Sequence, residues 1–207
     1  KIIQRFIKKN VNGQKMSKSL KNFTTIRDLL DSGTSPMTLR YFVLTVNYRK
    51  PLDFTDEALK SASEAWKNIN VALSFFDITK KENLSIEVNE TNEFIEEKYK
   101  DMINYEISQK KIKFTNALNN DLNTAGAIAI IYELAKPLKN FINQFQRIKN
   151  LEINTNEKFH LRETFKTLEE LTDVLGLKKE EIIIKKRINE DQILSLINKR
   201  LIAKKEK

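Results

Sequence analysis

Two lysines three residues apart stand in a short polar run near the start of the chain. The run is Lys15-Met16-Ser17-Lys18-Ser19, and Gly13 precedes it. Lysine is a compact positive charge on a long flexible stem, so its ammonium group can follow phosphate oxygens as they move. We therefore interpret the run as a mobile loop that closes over a polyphosphate. The alternative is a solvated surface loop in a lysine-rich protein, but a string this specific rarely arises by chance.

If the polyphosphate is ATP, the chemistry that such a loop performs is stabilisation of a leaving group. Negative charge builds on the β and γ phosphates of ATP when pyrophosphate departs. Each donor aimed at developing charge contributes roughly 10² to 10³ in rate, provided that it binds the transition state more strongly than ATP itself. A loop that closes late meets this condition. Lys15 and Lys18 are the candidate catalytic residues, and Met16, Ser17 and Ser19 complete the candidate ATP-binding loop.

The net charge of +9 is concentrated around this loop. Residues 1–50 contain 11 Lys plus Arg against two acidic residues, whereas residues 51–207 contain 26 of each sign. We therefore expect ATP or a nucleic-acid backbone to be met by the first fifty residues.

Composition excludes several classes of site. The chain has no cysteine and one histidine, which leaves no disulfide, no cysteine nucleophile and no Cys/His metal site. No apolar run approaches the roughly 18 residues of a membrane span. Lys8 and Lys9 interrupt the only apolar stretch near the N-terminus, so no signal peptide is predicted. We expect a cytoplasmic protein without a membrane partner.

The elements that must position the loop are predicted to be short. Residues 2–11 could form a strand or a short helix, because periodicity does not decide at this length. Thr25 and Asp28 approximate a capping box for a helix through Leu30, whose N-terminus either attracts an anion or is an ordinary cap. Ser35-Pro36 is a strong helix start and predicts a buried helix over residues 37–46.

Long amphipathic helices are predicted for the rest of the chain. Thr55 caps the first, and Trp66 lies in its apolar stripe, which favours core packing over stacking on a base. The stripe continues to Phe76. Further helices are predicted over residues 93–118, from the turn at 120–124 onward, over 157–175 and over 190–203, with a loop at 77–92 and a variable insertion at 178–187. The predicted fold is mainly α: an end of a catalytic domain over 1–50, followed by an antiparallel helical bundle over 51–207.

Several other polar residues leave alternatives open. Arg49 and Lys50 are either surface charges or phosphate ligands. Lys110, Lys111 and Lys113 either complement a helix dipole or form a patch for an RNA backbone. Asp121 and Asn123 could suggest a metal or acid–base site, but no carboxylate or histidine stands at a useful spacing. We therefore assign the 120–124 turn to capping the next helix.

Four stretches together resemble the C-terminal half of cysteinyl-tRNA synthetase, a family of class I aminoacyl-tRNA synthetases. They are residues 15–30, 40–44, 48–55 and 120–124, and the first contains the signature KMSKS loop of that class. The resemblance implies a parent enzyme that uses ATP with Mg²⁺ to convert L-cysteine to cysteinyl-adenylate and transfers it to tRNA(Cys). It also implies that Lys18 contacts ATP, that Lys15 assists at the departing phosphates, and that Ser17 and Ser19 orient the loop.

The resemblance further implies sites that this chain does not carry. In the family, a zinc ion held by cysteine and histidine selects cysteine in the N-terminal catalytic half. We therefore expect the zinc and cysteine sites to lie upstream of Lys1, and the chain to be inactive alone, with helices that embrace the anticodon stem of tRNA. Two alternatives stay open: a free-standing tRNA-binding module without chemistry, and a cysteine ligase of small-thiol biosynthesis that shares the loop.

Overall fold

A computed structural model describes residues 9–11, 14–15, 24–81, 95–148 and 151–181 of the chain. These residues are mainly helical, which confirms the predicted fold class. The predicted helix at 190–203 lies outside the described residues. The helices, in chain order, are α1 (Ile26–Asp31), α2 (Pro36–Leu44), α3 (Asp56–Leu73), α4 (Phe75–Lys81), α5 (Glu97–Asn119), α6 (Thr124–Arg147) and α7 (Thr155–Val174).

The helix starts lie where the capping residues predict them. The Thr25 hydroxyl accepts a hydrogen bond from the Asp28 amide at 3.0 Å, and the Thr25 amide donates to the Asp28 carboxylate at 2.7 Å. The Ser35 hydroxyl accepts from two amides in the first turn of α2. Side chains of Thr55 and Asn123 cap α3 and α6 in the same way. Each cap contributes about 1 kcal/mol, so the sequence determines these boundaries locally.

Helix α6 lies at the centre of the bundle and contacts α3, α5 and α7. Its stripe of fully buried residues includes Ile131 and Leu138. Trp66 is 2% exposed, which confirms that it packs in the core. The aromatic side chains that pack together in the middle of the bundle are Phe75, Phe76, Phe141 and Phe165.

Two predictions for the region after α3 were wrong. The helix does not continue to Phe76, because Ser74 leaves helical geometry and its hydroxyl bonds the Asn70 carbonyl at 3.0 Å. The start of the predicted 77–92 loop is instead helical through Lys81. Helix α4 forms because its own residues Ile78 and Thr79 are buried against the bundle, so tertiary packing overrides the polar composition.

A small three-stranded sheet joins the segment before the candidate loop to the segment before α3. Its strands are β1 (Lys9–Val11), β2 (Gln14–Lys15) and β3 (Leu52–Asp53), in the order β2-β1-β3. Strand β1 is antiparallel to β2 and parallel to β3. The sheet settles the alternative left open for residues 9–11 in favour of a strand. Because β3 leads directly into α3, the sheet ties the hairpin to the start of the bundle.

Residues 175–181 form a segment that we call the strap, which runs from the end of α7 across α2 and α3. Gly176 follows the last residue that caps α7 and has φ +64°, the left-handed geometry that commonly ends a helix. Arg40 donates through Nε to the Leu175 carbonyl at 2.7 Å. The amide of Glu180 and its carbonyl both bond the side chain of Asn70. The predicted variable insertion therefore begins with residues that are packed and hydrogen-bonded.

Candidate functional site

The structure places the first residue of the candidate loop and the residues that follow its exit. Lys15 ends β2, where it pairs with Asn10 of β1. Met16, Ser17, Lys18 and Ser19 lie outside the described residues. The chain is described again from Thr24, which directly precedes the capping residue of α1. The base of the candidate loop is therefore set by the hairpin on one side and by α1 on the other.

An apolar cleft of about 80 Å³ lies beside the described exit of the loop. Helix α1 borders this cleft and has no buried residue, and Ile26 is 61% exposed. The lining carries no charged side chain, so the cleft is unsuited to phosphate and suited to apolar contact. The lining residues are Thr24, Ile26, Leu29, Leu39, Phe42, Val43, Leu52 and Phe54.

The N-terminus of α1 is closed by a capping box, which favours the interpretation as an ordinary cap. The Asp28 carboxylate already lies against the Thr25 amide. The pKa of Asp28 is lowered, chiefly by that backbone hydrogen bond and then by the bond to the Thr25 hydroxyl. The helix end is therefore compensated by a negative charge from its own first turn.

A polar cluster links the segment after α2 to the turn between α5 and α6. We call Tyr48, Arg49 and Asp121 the Arg49 cluster. The Tyr48 hydroxyl donates to Asp121 Oδ1 at 2.7 Å, and Arg49 Nη2 donates to the same oxygen at 2.8 Å. Arg49 Nε donates to the Tyr48 hydroxyl at 2.9 Å. The three side chains therefore form a closed hydrogen-bonded triangle at the surface.

Electrostatics and backbone geometry both support this cluster. The pKa of Asp121 is lowered, chiefly by the Tyr48 hydrogen bond and also by the Arg49 charge. The pKa of Arg49 is raised, first by its bond to Tyr48 and then by Asp121. Asp121 and Leu122 have φ values of 52° and 50°, in the left-handed region. Thr124 donates to the Leu44 carbonyl at 2.7 Å, which fastens the turn to the end of α2.

The sequence alone predicts a capping role for the 120–124 turn and no site at Asp121. The structure confirms the capping role for Asn123 but directs Asp121 to Tyr48 and Arg49. A local signal was present, because Asn and Asp tolerate left-handed backbone geometry better than other side chains. The partners of Asp121 could not be read locally, since they lie more than 70 residues away along the chain.

The other candidate basic residues are Lys50, which directly follows Arg49, and three lysines of α5 that differ in their partners. Lys110 forms an ion pair with Glu133 of α6, and Lys111 forms one with Glu170 of α7. Lys113 and Lys50 are exposed. The dipole interpretation of the α5 lysines was wrong, because the last turn of that helix contains no basic residue.

Two features are absent from the described part of the chain. It contains no group of three or more His, Cys, Asp or Glu residues placed to hold a metal ion. It also contains no helix with the length and apolar character needed to cross a membrane.

Comparison with known proteins gives two family matches and a set of close relatives. Residues 3–64 match the model of the class I (C) tRNA synthetase catalytic domain, and residues 113–179 match the DALR domain. The chain is 97% identical over 198 residues to a cysteine–tRNA ligase of Prochlorococcus marinus subsp. pastoris strain MED4. It is 93% identical over 196 residues to the enzyme of the same name from strain MIT 9515, and 71% identical over 198 residues to that from strain AS9601.

These alignments cover 95–96% of this chain but only 40% of each relative. The chain therefore spans about two fifths of the length of the curated relatives it matches. The Arg49 cluster joins the two matched regions, because Tyr48 and Arg49 lie within residues 3–64 and Asp121 lies within residues 113–179.

Proposed function

The chain belongs to the cysteine–tRNA ligase family along the 96% of its length that aligns with its relatives, and on this premise we propose that it is part of an enzyme that joins cysteine to tRNA(Cys). In that enzyme, ATP converts cysteine to cysteinyl-adenylate, and the cysteinyl group then passes to the tRNA. This chain supplies the ATP-binding loop at 15–19 and helices that bind tRNA. Neither a small-thiol ligase nor a free-standing binding module is favoured by the relatives.

The observation that carries this proposal is the position of the loop. The string at 15–19 lies within the region that matches a class I catalytic domain, and it begins at the end of a hairpin tied to the bundle. We propose that Lys18 contacts the phosphates of ATP and that Lys15 assists as pyrophosphate departs. Met16, Ser17 and Ser19 complete the loop, and the two serines orient it.

ATP enters this scheme as its Mg²⁺ complex and is a substrate. The zinc and L-cysteine sites are assigned to the part of the relatives that this chain does not span. The first fifty residues are proposed as the end of the catalytic domain and residues 51–207 as the tRNA-binding bundle. Because its substrate is tRNA, the enzyme is assigned to the cytoplasm.

Three of the candidate basic residues are retained as proposed tRNA contacts. Arg49, Lys50 and Lys113 are exposed, so each can reach a backbone phosphate. Lys110 and Lys111 already hold carboxylates of neighbouring helices. For these two lysines we propose a structural role between helices instead.

The test is cysteine-dependent pyrophosphate exchange by the full-length enzyme that contains this chain. We expect Lys18→Ala to lower the exchange rate by roughly 10² to 10³, because a donor to the departing phosphates is lost. Lys21→Ala is the matched control, since it removes a lysine just outside the string, and it should change the rate by less than about threefold. If Lys18→Ala also stays within about threefold of wild type, the leaving-group role is wrong.

A further inference from the structure

We propose that the Arg49 cluster binds one phosphate of the tRNA backbone, with Arg49 as the ligand and Tyr48 and Asp121 as positioning residues. The inference rests on the proposed function, because the RNA concerned is the tRNA of that reaction. It extends that function by assigning roles to Tyr48 and Asp121, neither of which carries the positive charge that binds phosphate.

The guanidinium of Arg49 has donors left for a ligand. It carries five N–H groups. The Nε group donates to Tyr48 and one Nη2 hydrogen is directed to Asp121, which leaves three N–H groups without an acceptor among the described residues. The side chain is 67% exposed. Two parallel N–H groups on one edge of a guanidinium match two oxygens of a phosphate.

The orientation of this guanidinium is fixed before any ligand arrives. Its central carbon lies 5.3 Å from the centroid of the Tyr48 ring, and two hydrogen bonds hold one edge of the group. A side chain ordered in advance loses less conformational entropy on binding. The left-handed backbone at Asp121 and Leu122 and the bond from Thr124 to Leu44 keep the carboxylate in place.

The surroundings favour a polyanion as the ligand. Arg49 belongs to the first fifty residues, which carry the entire net charge of +9. The next residue, Lys50, is exposed. Asp121 neutralises part of the Arg49 charge, so its contribution to phosphate binding is to orient the guanidinium. An experiment can therefore test the positioning role of Tyr48 and Asp121 separately from the positive charge of Arg49.

The experiment measures binding of a tRNA(Cys) transcript to the full-length enzyme by fluorescence anisotropy at several salt concentrations. We expect Arg49→Ala to raise the Kd about tenfold, as for a lost charge-assisted hydrogen bond, and to lower the salt slope by about one unit. Arg49→Lys should keep the salt slope but lose affinity, because an ammonium group lacks the planar fork.

Tyr48→Phe is the decisive variant, because it changes no charge. If Tyr48 acts by positioning Arg49, this variant should raise the Kd about threefold with an unchanged salt slope. The same change made in the Arg49→Ala background should then have no further effect, since the group being positioned is gone. Melting followed by circular dichroism checks that each variant is folded.

Arg147→Ala is the matched control. Arg147 is an exposed arginine at the far end of the 24-residue helix α6, roughly 36 Å along the helix from the Asp121 turn at 1.5 Å per residue. Its removal should change the Kd by less than twofold.

Three outcomes separate this inference from the proposed function. The inference is overturned if Arg49→Ala binds tRNA like wild type, or if Tyr48→Phe weakens binding equally with and without Arg49. In either case, a wild-type enzyme that binds and charges tRNA leaves the proposed function standing. If the wild-type enzyme does not bind tRNA(Cys), both are overturned.

Discussion

Replacing Glu180 with alanine should weaken the attachment of the strap to α2 and α3. One oxygen of the Glu180 carboxylate accepts a hydrogen bond from Trp66 Nε1 at 2.6 Å, and the other accepts one from the Ser35 hydroxyl at 2.6 Å. Trp66 is 2% exposed, so its indole N–H would lose its partner in a place that water hardly reaches. Ser35 would lose the acceptor that holds the hydroxyl capping α2.

The size of the effect follows from these two bonds. A hydrogen bond to a charged group contributes about 1.5–3 kcal/mol, and a buried donor left without a partner costs about 1–3 kcal/mol. Glu180 is only half-buried, so water can replace part of what the carboxylate supplies. We therefore expect Glu180→Ala to lower the free energy of unfolding by about 2–4 kcal/mol. Glu180→Gln keeps the shape and one acceptor oxygen, and it should lose about half as much.

Urea denaturation of the 207-residue chain measures this directly. Trp66 is the only tryptophan, so intrinsic fluorescence reports on the residue that loses its partner. The hydrogen bonds between the Glu180 main chain and the Asn70 side chain do not involve the Glu180 carboxylate. We therefore expect the strap to remain bound to α3 in both variants. Glu181→Ala is the matched control: Glu181 is exposed, and its replacement should stay within about 0.5 kcal/mol of wild type.

A loss of less than about 0.5 kcal/mol for Glu180→Ala would refute this reasoning. It would mean that water stabilises Trp66 and Ser35 as well as the two hydrogen bonds to the Glu180 carboxylate do. An equal loss in Glu180→Ala and Glu181→Ala would also refute it, because the effect would then follow from charge alone.

Two further predictions concern the surface ion pairs. The pKa of Asp121 is lowered in the folded chain. The stability that the Arg49 cluster contributes is therefore fully present at pH values above the usual Asp pKa of about 3.9, and it is lost as the pH falls through the lower pKa of the folded chain. A carboxyl ¹³C NMR titration should give a midpoint below 3.9, which Tyr48→Phe should raise; a midpoint unmoved by Tyr48→Phe would contradict the assigned cause. Lys110→Ala and Lys111→Ala should each lower the free energy of unfolding by less than about 1 kcal/mol, because partly exposed ion pairs contribute little. Urea denaturation measures this free energy, and a larger decrease in either variant would contradict the prediction.

The parts of the fold that were predicted correctly depend on neighbours in the sequence. The cap at Thr55 and the proline start after Ser35 act within one helical turn, and the apolar stripe through Trp66 repeats at helical spacing. The break at Ser74 was missed because the burial that stabilises α4 comes from packing against the rest of the bundle. Short strands such as β3 carry too few residues for a period of two to show.

The parts of the site and of the fold that were missed depend on contacts between distant residues. Asp121 contacts Tyr48 and Arg49 across more than 70 residues, and Glu180 contacts Trp66 across 114. No spacing rule connects positions so far apart. The loop at 15–19 was identified by its residue types alone, and its assignment as an ATP site stays a prediction.

Helix α1 packs less tightly against its surroundings than the other described helices do. It has six residues and none of them is buried, and Gly33 follows it at φ +90° with open space where a side chain would stand. Few apolar contacts oppose its opening, so its backbone amides should exchange with deuterium far sooner than those of α6. We therefore expect helix α1 to move away from the cleft that it borders at a lower cost in free energy than unfolding the bundle behind it.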